Sequence, residues 1–323
     1  DFQAACERLD KTYNGIVFRF HRALDSPEAL TIDERVFADV LDAFDFHKSK
    51  YLFNDIPLHI LGSIYERFLG NVIVARAKRA SLEPKPEVQK AGGVYYTRQP
   101  IVNYIVKNTV GKIIDGKTPK EIANMRFLDI ACGSGSFLLG AYDYLIKYVT
   151  RWYNANPSKA PKSAVIKRDS ALHISLEEKG RILTNNIYGV DIDPQAVEVA
   201  HLSLHLKLLE EETTASARQY TLDFHRPLLP SLMNNVKCGN SLIGTDFFPN
   251  RQGELFDEET RLQINGFNWQ HEFAMVLQEG GFDAVIGNPP YVNARIIFQQ
   301  QGREVKKYFA ERYRTARRGY DLY

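Results

Sequence analysis

The sequence has 323 residues, of which 44% are hydrophobic and 25% charged, and its 41 basic and 39 acidic residues leave a net charge of +2. This composition is typical of a globular protein long enough for two domains, and the longest apolar run, which begins at Phe137, is too short to span a bilayer. The three cysteines lie far apart and are odd in number, which argues against a disulfide framework and favours a reducing compartment.

The first part of the chain is predicted to be helical, because apolar residues recur there at intervals of three and four. One helix is expected over residues 32–44 and a second over residues 57–77. Two prolines and two glycines then interrupt the pattern within residues 81–93, which indicates a linker. We therefore expect an N-terminal helical domain over residues 1–85 and a second domain over residues 86–323.

In the second domain the pattern changes to short apolar runs that alternate with glycine-containing turns and helices. Four of these runs are predicted to be strands, and they lie in "RFLDIACGSGSF", "NNIYGVDIDP", "NVKCGNSLIG" and "FDAVIGNPPYV". Strands that alternate with helices favour a parallel, doubly wound α/β sheet. Ligands of such sheets bind at the carboxyl ends of the strands, and the unusual residues of all four segments fall at such ends.

The first predicted strand is followed by Gly133 and Gly135, which let the backbone turn tightly and approach a ligand closely. The helix that follows leaves backbone N–H groups free at its start. A dinucleotide-binding turn would carry a third glycine at the position of Leu138. A cofactor without a pyrophosphate group is therefore the better prediction for this turn.

The second and third predicted strands end in polar residues. Asp191 can accept hydrogen bonds from both hydroxyls of a ribose, whereas Asp193 is expected to cap the helix that begins near Pro194. After the third strand, Asn240 either reads the edge of an adenine ring or forms a turn with Ser241. The motif alone favours neither of these two interpretations.

The fourth predicted strand ends in Asn288, Pro289, Pro290 and Tyr291. Proline has no backbone N–H to donate to a neighbouring strand, so the strand ends here in a rigid loop that carries polar groups and an aromatic ring. Because this loop lies at the ligand-binding edge of the predicted sheet, it indicates a catalytic or binding role.

Together, "GGVYYTRQPIVNYIV", "LDIACGSGSF", "YGVDID", "CGNSL" and "IGNPPYV" resemble, in type and order, the gamma class of S-adenosylmethionine-dependent DNA adenine-N6 methyltransferases. The segment "ILGSIYERFLG" is similar to helices of type IIG and type ISP restriction-modification enzymes and of related phage-defence methyltransferases. The resemblance implies a Rossmann-like methyltransferase sheet with further strands after residue 323. It also implies that the protein works in the cytoplasm of a prokaryote. It also implies methyl transfer to the N6 amine of an adenine flipped out of duplex DNA.

The resemblance assigns roles to individual residues. Asn288 and Pro289 would accept hydrogen bonds from the adenine amine, Pro290 would keep the loop rigid, and Tyr291 would stack on the base. The residues that would bind S-adenosylmethionine are Tyr96, Thr97, Asp129, Ala131, Gly133, Gly135, Phe137, Asp191, Ile192, Asn240 and Ser241. No metal is called for; His201 and His205 are one helical turn apart but lack a third ligand.

Double-stranded DNA is the partner that the resemblance implies, together with further domains of the same polypeptide for target recognition and for nuclease or helicase activity. No membrane partner is expected. The segment 295–318 carries eight Lys or Arg against two Glu. Such a run forms either a solvated helix face, which is the commoner case, or a surface that binds a polyanion.

Two alternatives remain open. The Asn-Pro-Pro-Tyr motif also serves methyltransferases of protein glutamine amides and of RNA bases, because the planar amine is similar. The large helical region ahead of the core and the Tyr-Thr segment at residues 95–97 favour the DNA enzymes. The other alternative is a non-catalytic DNA-binding scaffold with the same fold, which is weakened because every position of the catalytic motif is filled.

Overall fold

The computed structural model describes residues 34–45, 71–76, 79–84, 97–168, 170–212, 228–248, 264–291 and 294–316, together with positions 48, 60, 62, 64 and 261. In the N-terminal part, helix α1 (Glu34–Phe44) confirms the first predicted helix. Of the predicted cofactor-binding residues, Tyr96 lies outside the described residues.

A β-hairpin lies where the end of the second helix and the start of a linker were predicted. Strand β1 (Asn71–Arg76) pairs antiparallel with strand β2 (Arg79–Pro84). The prediction of a helix up to residue 77, and of a linker from residue 81, is therefore wrong at these positions. The run "VIV" in β1 explains the difference, because consecutive β-branched residues favour an extended backbone.

The helices and strands after residue 97 alternate as the sequence predicts for an α/β domain. The helices are α2 (Gln99–Asn108), α3 (Val110–Ile114), α4 (Pro119–Ile122), α5 (Ser136–Ala155), α6 (Leu176–Asn186), α7 (Pro194–Leu209), α8 (Trp269–Glu272), α9 (Ala274–Gln278) and α10 (Ala294–Arg312). The strands are β3 (Phe127–Asp129), β4 (Val165–Arg168), β5 (Ala171–Ile174), β6 (Ile187–Asp191), β7 (Val236–Cys238) and β8 (Ala284–Val285). Strands β4 and β5 form a separate antiparallel pair.

Four described strands form the central sheet, all parallel and in the order β7, β6, β3, β8. From β3 the chain continues outward to β6 and β7, and then returns to add β8 on the other side of β3. This confirms the doubly wound parallel sheet, and its four strands are the four predicted ones. The direction of winding reverses between β3 and β8, and open α/β sheets bind their ligands at such a point.

Helix α2 is fixed to the domain that carries the glycine turn. Gly140 of α5 lies so close to Val102 of α2 that a Cβ at Gly140 would approach the Val102 Cγ1 to 2.5 Å. Val102 is fully buried in the main core, and burial of a side chain of this size contributes about 1.5–3 kcal/mol. This packing holds the start of α2, which Thr97 and Arg98 precede, against α5.

Helix α10 begins shortly after Tyr291 and is amphipathic. Its Val305, Tyr308 and Phe309 are buried in a second hydrophobic cluster, which also contains Phe247. The exposed residues of the helix include Arg303, Lys306, Lys307 and Arg312. These exposed basic residues all follow Gly302, where the backbone leaves helical geometry (φ 86°) and divides the helix into two parts.

Helix α5, with 20 residues, is the longest described helix, and it carries Asp143, Lys147 and Arg151. Within the described part of the chain, neither α5 nor any other helix is long and apolar enough to cross a membrane.

Candidate active site at the carboxyl edge of the sheet

The glycine turn after β3 has the predicted geometry. Gly133 and Gly135 have φ values of 52° and 90°, which lie in the left-handed region that glycine adopts without strain. Helix α5 starts directly after Gly135, and no side chain in the described residues caps this start. The first turn of α5 therefore presents backbone N–H groups at the edge of the sheet. Gly62, from the N-terminal part, is buried against Ser134 of the same turn.

Asp191, at the end of β6, holds this turn in place. Its Oδ2 accepts a hydrogen bond from the backbone N–H of Gly133 (2.7 Å), and its Oδ1 accepts one from the N–H of Asp193 (3.0 Å). Burial raises the pKa of Asp191 above its ordinary value. Each oxygen keeps a second lone pair, so the predicted ribose contact is compatible with both bonds. Asp193 caps α7 through the N–H of Gln195 (2.9 Å), as predicted.

Asp129, at the end of β3, is a buried carboxyl group with only 1% of its surface exposed. Its Oδ1 accepts a hydrogen bond from the backbone N–H of Ala131 (3.0 Å). Burial raises the pKa of Asp129 to about 7, a further increase comes from the negative charge of Asp191, and the Ala131 hydrogen bond opposes both. Because a buried carboxylate is costly without a cation nearby, Asp129 is suited to face a positively charged group.

Gly287, which was not predicted as a site residue, brings the start of the Asn-Pro-Pro-Tyr loop into contact with the end of β3. The preceding residue, Ile286, donates its backbone N–H to the carbonyl of Leu128 (2.8 Å). A Cβ at Gly287 would lie 2.5 Å from Asp129 Oδ1 and 3.1 Å from its Cγ. The Asp129 carboxyl group can therefore lie against the loop only because residue 287 has no side chain. A glycine at a strand end is the signal that could have indicated this contact.

Asn288 is half-buried, and two other side chains bond to its carboxamide. Its Nδ2 donates to Thr97 Oγ1 (3.2 Å), and its Oδ1 accepts a hydrogen bond from the hydroxyl of Tyr291 (3.0 Å). Tyr291 is 50% exposed, while Pro289 is half-buried and Pro290 is exposed. The structure thus brings together Thr97 and the Asn-Pro-Pro-Tyr loop, which are far apart in the sequence.

Asn240 forms a turn, one of its two predicted roles. Its Oδ1 accepts a hydrogen bond from the backbone N–H of Leu242 (3.1 Å), and its contact with a cofactor adenine stays a prediction. Asn265 was not predicted as a site residue. Its backbone carbonyl accepts a hydrogen bond from the backbone N–H of Asn240 (2.7 Å). The Asn265 Nδ2 lies 3.3 Å from the carbonyl of Ile192 and 3.3 Å from Cys238 Sγ, where β6 and β7 end. The backbone of Asn265 is left-handed (φ 44°), and the pair Asn265-Gly266, which is typical of a turn, is the signal in the sequence.

The remaining predicted cofactor residues have different environments. Phe137 is buried in the main core, Ala131 is half-buried at the turn, and Ile192 is exposed at the end of β6. The backbone carbonyl of Ser241 accepts a hydrogen bond from Trp269 Nε1 (3.0 Å). Contacts of these residues with a cofactor stay predictions.

His201 and His205 are held by the protein backbone. The Nε2 of His201 lies 3.0 Å from the carbonyl of Val236, and that of His205 lies 2.9 Å from the carbonyl of Pro230. Burial lowers the pKa of both rings. The described residues contain no group of three side chains that could hold a metal ion.

A doubly wound sheet with a glycine turn and an Asn-Pro-Pro-Tyr loop at one edge defines a methyltransferase of the Rossmann-like class. The N-6 DNA Methylase family matches residues 57–236, more than half of the chain, and the Eco57I restriction-modification methylase family matches residues 185–323. The chain belongs to the N-6 DNA Methylase family, which confirms the family predicted from the motifs.

Two curated relatives are similar to the chain. The type II restriction enzyme and methyltransferase RM.Eco57I of Escherichia coli is 31% identical over 327 residues, which cover 100% of this chain and 30% of that protein. A putative type II restriction enzyme and methyltransferase of Methanocaldococcus jannaschii is 27% identical over 72% of this chain and 21% of its own length. The chain thus spans less than a third of these two relatives.

Among solved structures, the type IIL restriction-modification enzyme MmeI in complex with DNA is similar to the chain. The alignment covers 98% of this chain and 38% of that one, with 15% sequence identity and a TM-score of 0.48.

Proposed function

We propose that this chain transfers a methyl group from S-adenosylmethionine to the N6 amine of an adenine flipped out of double-stranded DNA. The observation that carries the proposal is the position of Asn288. It follows β8 at the point where the winding of the sheet reverses, and its neighbour Gly287 touches Asp129 at the end of β3. A carboxamide acceptor thus lies beside a turn suited to a cofactor. Membership of the N-6 DNA Methylase family supports the same reaction.

The residues at the strand ends fit S-adenosylmethionine. The turn at Gly133 and Gly135 carries no side chain at either glycine, so a ligand can approach the backbone at the start of α5 closely. The buried Asp129 carboxylate complements the positive charge of the methionine part. Asp191 has lone pairs left for the ribose hydroxyls of the cofactor. Asn240 follows β7, the strand next to β6, and is proposed to contact the adenine ring of the cofactor.

The chemical task of the loop is to activate a weak nucleophile. When bound, S-adenosylmethionine supplies an electrophilic methyl group. The lone pair of the adenine amine is delocalised into the ring, so the amine attacks poorly by itself. Asn288 Oδ1 and the Pro289 carbonyl accept hydrogen bonds from its two N–H groups and shift electron density toward nitrogen as the amine attacks. Pro289 and Pro290 hold these acceptors in place, and one N6 proton passes to solvent.

Tyr291 is proposed to stack on the extruded base, which requires its hydroxyl to leave Asn288 Oδ1. We expect Tyr291→Ala to weaken capture of the base by about 1–3 kcal/mol, because the variant has no ring to stack on it. Tyr291→Phe should capture the base at least as well, because the ring remains and no hydroxyl competes for Oδ1. The fluorescence of 2-aminopurine at the methylated position measures this capture. Tyr104→Ala, which removes a ring that is 70% exposed on α2, is the matched control, and equal capture by both alanine variants would exclude stacking.

Affinity for S-adenosylmethionine is expected to depend on pH through Asp129. Its pKa is raised to about 7, so the carboxylate that attracts a cation forms as the pH rises through that value. Affinity should increase up to about pH 8 and fall below pH 7 by as much as about tenfold per unit. Calorimetric titration of wild type and Asp129→Asn checks this, since the variant should show no such dependence. A wild-type affinity that is constant from about pH 6 to pH 8 would contradict the role.

The exposed basic face formed by α10 and the residues just after it supports DNA as the substrate. This segment follows the proposed base-binding loop in the chain, and Arg303 in α10 and Arg314 just after α10 are both exposed. We expect replacement of these two by glutamine to reduce the salt dependence of DNA binding, with a slope of log K against log salt smaller by about 0.9 for each phosphate that the variant no longer neutralises. Lys167→Gln, at an exposed position of β4, is the control. Equal slopes for all three proteins would make the face a solvated surface only.

Labelled methyl transfer tests the proposed function against its alternatives. The full-length protein is incubated with labelled S-adenosylmethionine and unmethylated duplex DNA, RNA or a release-factor protein. The proposal expects label in DNA that is recovered as N6-methyladenine after hydrolysis. Label in RNA or in protein glutamine would favour the alternative substrates. Cofactor binding or DNA binding without any transfer would favour the non-catalytic scaffold.

The setting that we propose is a single-chain restriction-modification or phage-defence enzyme in the cytoplasm of a prokaryote. The names of the curated relatives, which are restriction enzymes as well as methyltransferases, support this setting. Further domains would read the target sequence and supply nuclease or helicase activity. We propose that the chain divides near residue 85. An N-terminal region that contains helix α1 and the β1–β2 hairpin precedes the division, and the methyltransferase core follows it.

A further inference from the structure

We infer that Thr97 is a positioning residue that sets the orientation of the Asn288 carboxamide; this inference rests on the proposed function. A carboxamide has an acceptor end and a donor end, which exchange places when the group rotates by half a turn. The adenine amine offers two donors to the loop. Only the orientation with Oδ1 toward the amine allows Asn288 to accept, and the opposite orientation places donors against donors.

Both ends of the Asn288 carboxamide have a hydroxyl partner when the group is in the productive orientation. Thr97 Oγ1 accepts from Nδ2 at 3.2 Å, and the Tyr291 hydroxyl donates to Oδ1 at 3.0 Å. When Tyr291 swings away to stack on a base, its hydroxyl no longer orients the group. The hydrogen bond from Nδ2 to Thr97 is then the one described side-chain contact that still keeps Oδ1 directed toward the substrate.

Thr97 is suited to this task because it lies just before α2, a helix that is separate from the loop. The carbonyl of Arg98, the next residue, accepts the first hydrogen bonds of α2 from the N–H groups of Ile101 (2.9 Å) and Val102 (3.2 Å). Val102 in turn packs against α5. The loop itself is anchored through β8 to β3. Thr97 thus ties two independently supported elements together across the site.

The test separates positioning from cofactor binding and from a purely structural role. Thr97→Val keeps the shape of the side chain and removes the hydroxyl, whereas Thr97→Ser keeps the hydroxyl. With the full-length protein and saturating S-adenosylmethionine, we expect Thr97→Val to lower kcat for DNA methylation by about 10- to 100-fold at unchanged Tm. Thr97→Ser should restore kcat to within a fewfold of wild type. A raised KM for S-adenosylmethionine with wild-type kcat would overturn the inference.

A second measurement does not depend on turnover. Duplexes with adenine or with purine, which lacks the 6-amino group, at the methylated position are compared for binding. Wild type and Thr97→Ser should prefer adenine, and Thr97→Val should lose most of that preference, because misoriented Asn288 cannot accept from the amine. An unchanged preference in Thr97→Val would also overturn the inference. If Thr97→Val does not fold, the same two measurements on Thr97→Ala decide the question. A wild-type protein that methylates no DNA would instead refute the proposed function, on which this inference rests.

Discussion

Asn288→Ala is expected to lower kcat for methyl transfer by about 10²- to 10³-fold, which is the usual cost of removing one preorganised acceptor that acts in the transition state. The variant loses Oδ1, one of the two acceptors proposed for the adenine amine. Its affinity for S-adenosylmethionine should stay within about threefold of wild type, because the cofactor residues Asp129 and Asp191 lie at the ends of other strands. Single-turnover kinetics and calorimetry measure the two quantities separately.

Asn288→Asp serves as the control for this prediction, since it keeps an oxygen at the acceptor position and should retain more activity than Asn288→Ala. A parallel loss of cofactor affinity and activity in Asn288→Ala would show that the loop and the cofactor site are not separate. Wild-type activity in this variant would remove Asn288 from the mechanism.

Gly287→Ala is expected to have an effect of similar size for a different reason. The added Cβ would lie 2.5 Å from Asp129 Oδ1, and Asp129 is almost completely buried, so one of the two groups must move. A shift of the loop by about 1 Å can cost about 10²-fold in rate. A shift of Asp129 instead should weaken S-adenosylmethionine binding. We therefore expect a large fall in kcat/KM, measured by initial rates at varied cofactor concentration.

Gly180→Ala is the matched control for Gly287→Ala. Gly180 lies inside α6, where a Cβ meets no atom within 4 Å and the backbone needs no positive φ. The control should keep full activity and become more stable by up to about 1 kcal/mol, because alanine favours a helix over glycine. If Gly287→Ala behaved like this control, the contact between Asp129 and the loop would have no functional importance.

Local sequence patterns were sufficient to predict the frame of the site. The apolar run before Asp129 and the glycines after it specify a strand, a turn and a helix, because each choice depends on residues within a few positions. The same holds for Asp193, whose side chain caps α7 as predicted. The helix prediction was wrong at β1, because the helical spacing of the preceding residues was extended into a β-branched run that forms a strand.

Local patterns of this kind could not predict contacts between segments that are distant in the sequence. The approach of Gly287 to Asp129 depends on the parallel pairing of β8 with β3, which a local pattern does not specify. Similarly, the hydrogen bond from Asn288 to Thr97 depends on the packing of α2 against α5. Asn265 approaches the ends of β6 and β7 from a segment that follows both strands. In each case the sequence shows a suitable residue, and only the fold supplies its partner.

A crystal structure of the full-length protein with duplex DNA and an unreactive analogue of S-adenosylmethionine tests the central proposal most directly. The expected result is an adenine outside the helix, with its N6 within hydrogen-bond distance of Asn288 Oδ1 and the Pro289 carbonyl, and with Tyr291 against its face. The analogue should lie along Gly133 and Asp191. An adenine that remains stacked in the duplex, or an extruded base whose N6 points away from Asn288, would contradict the account.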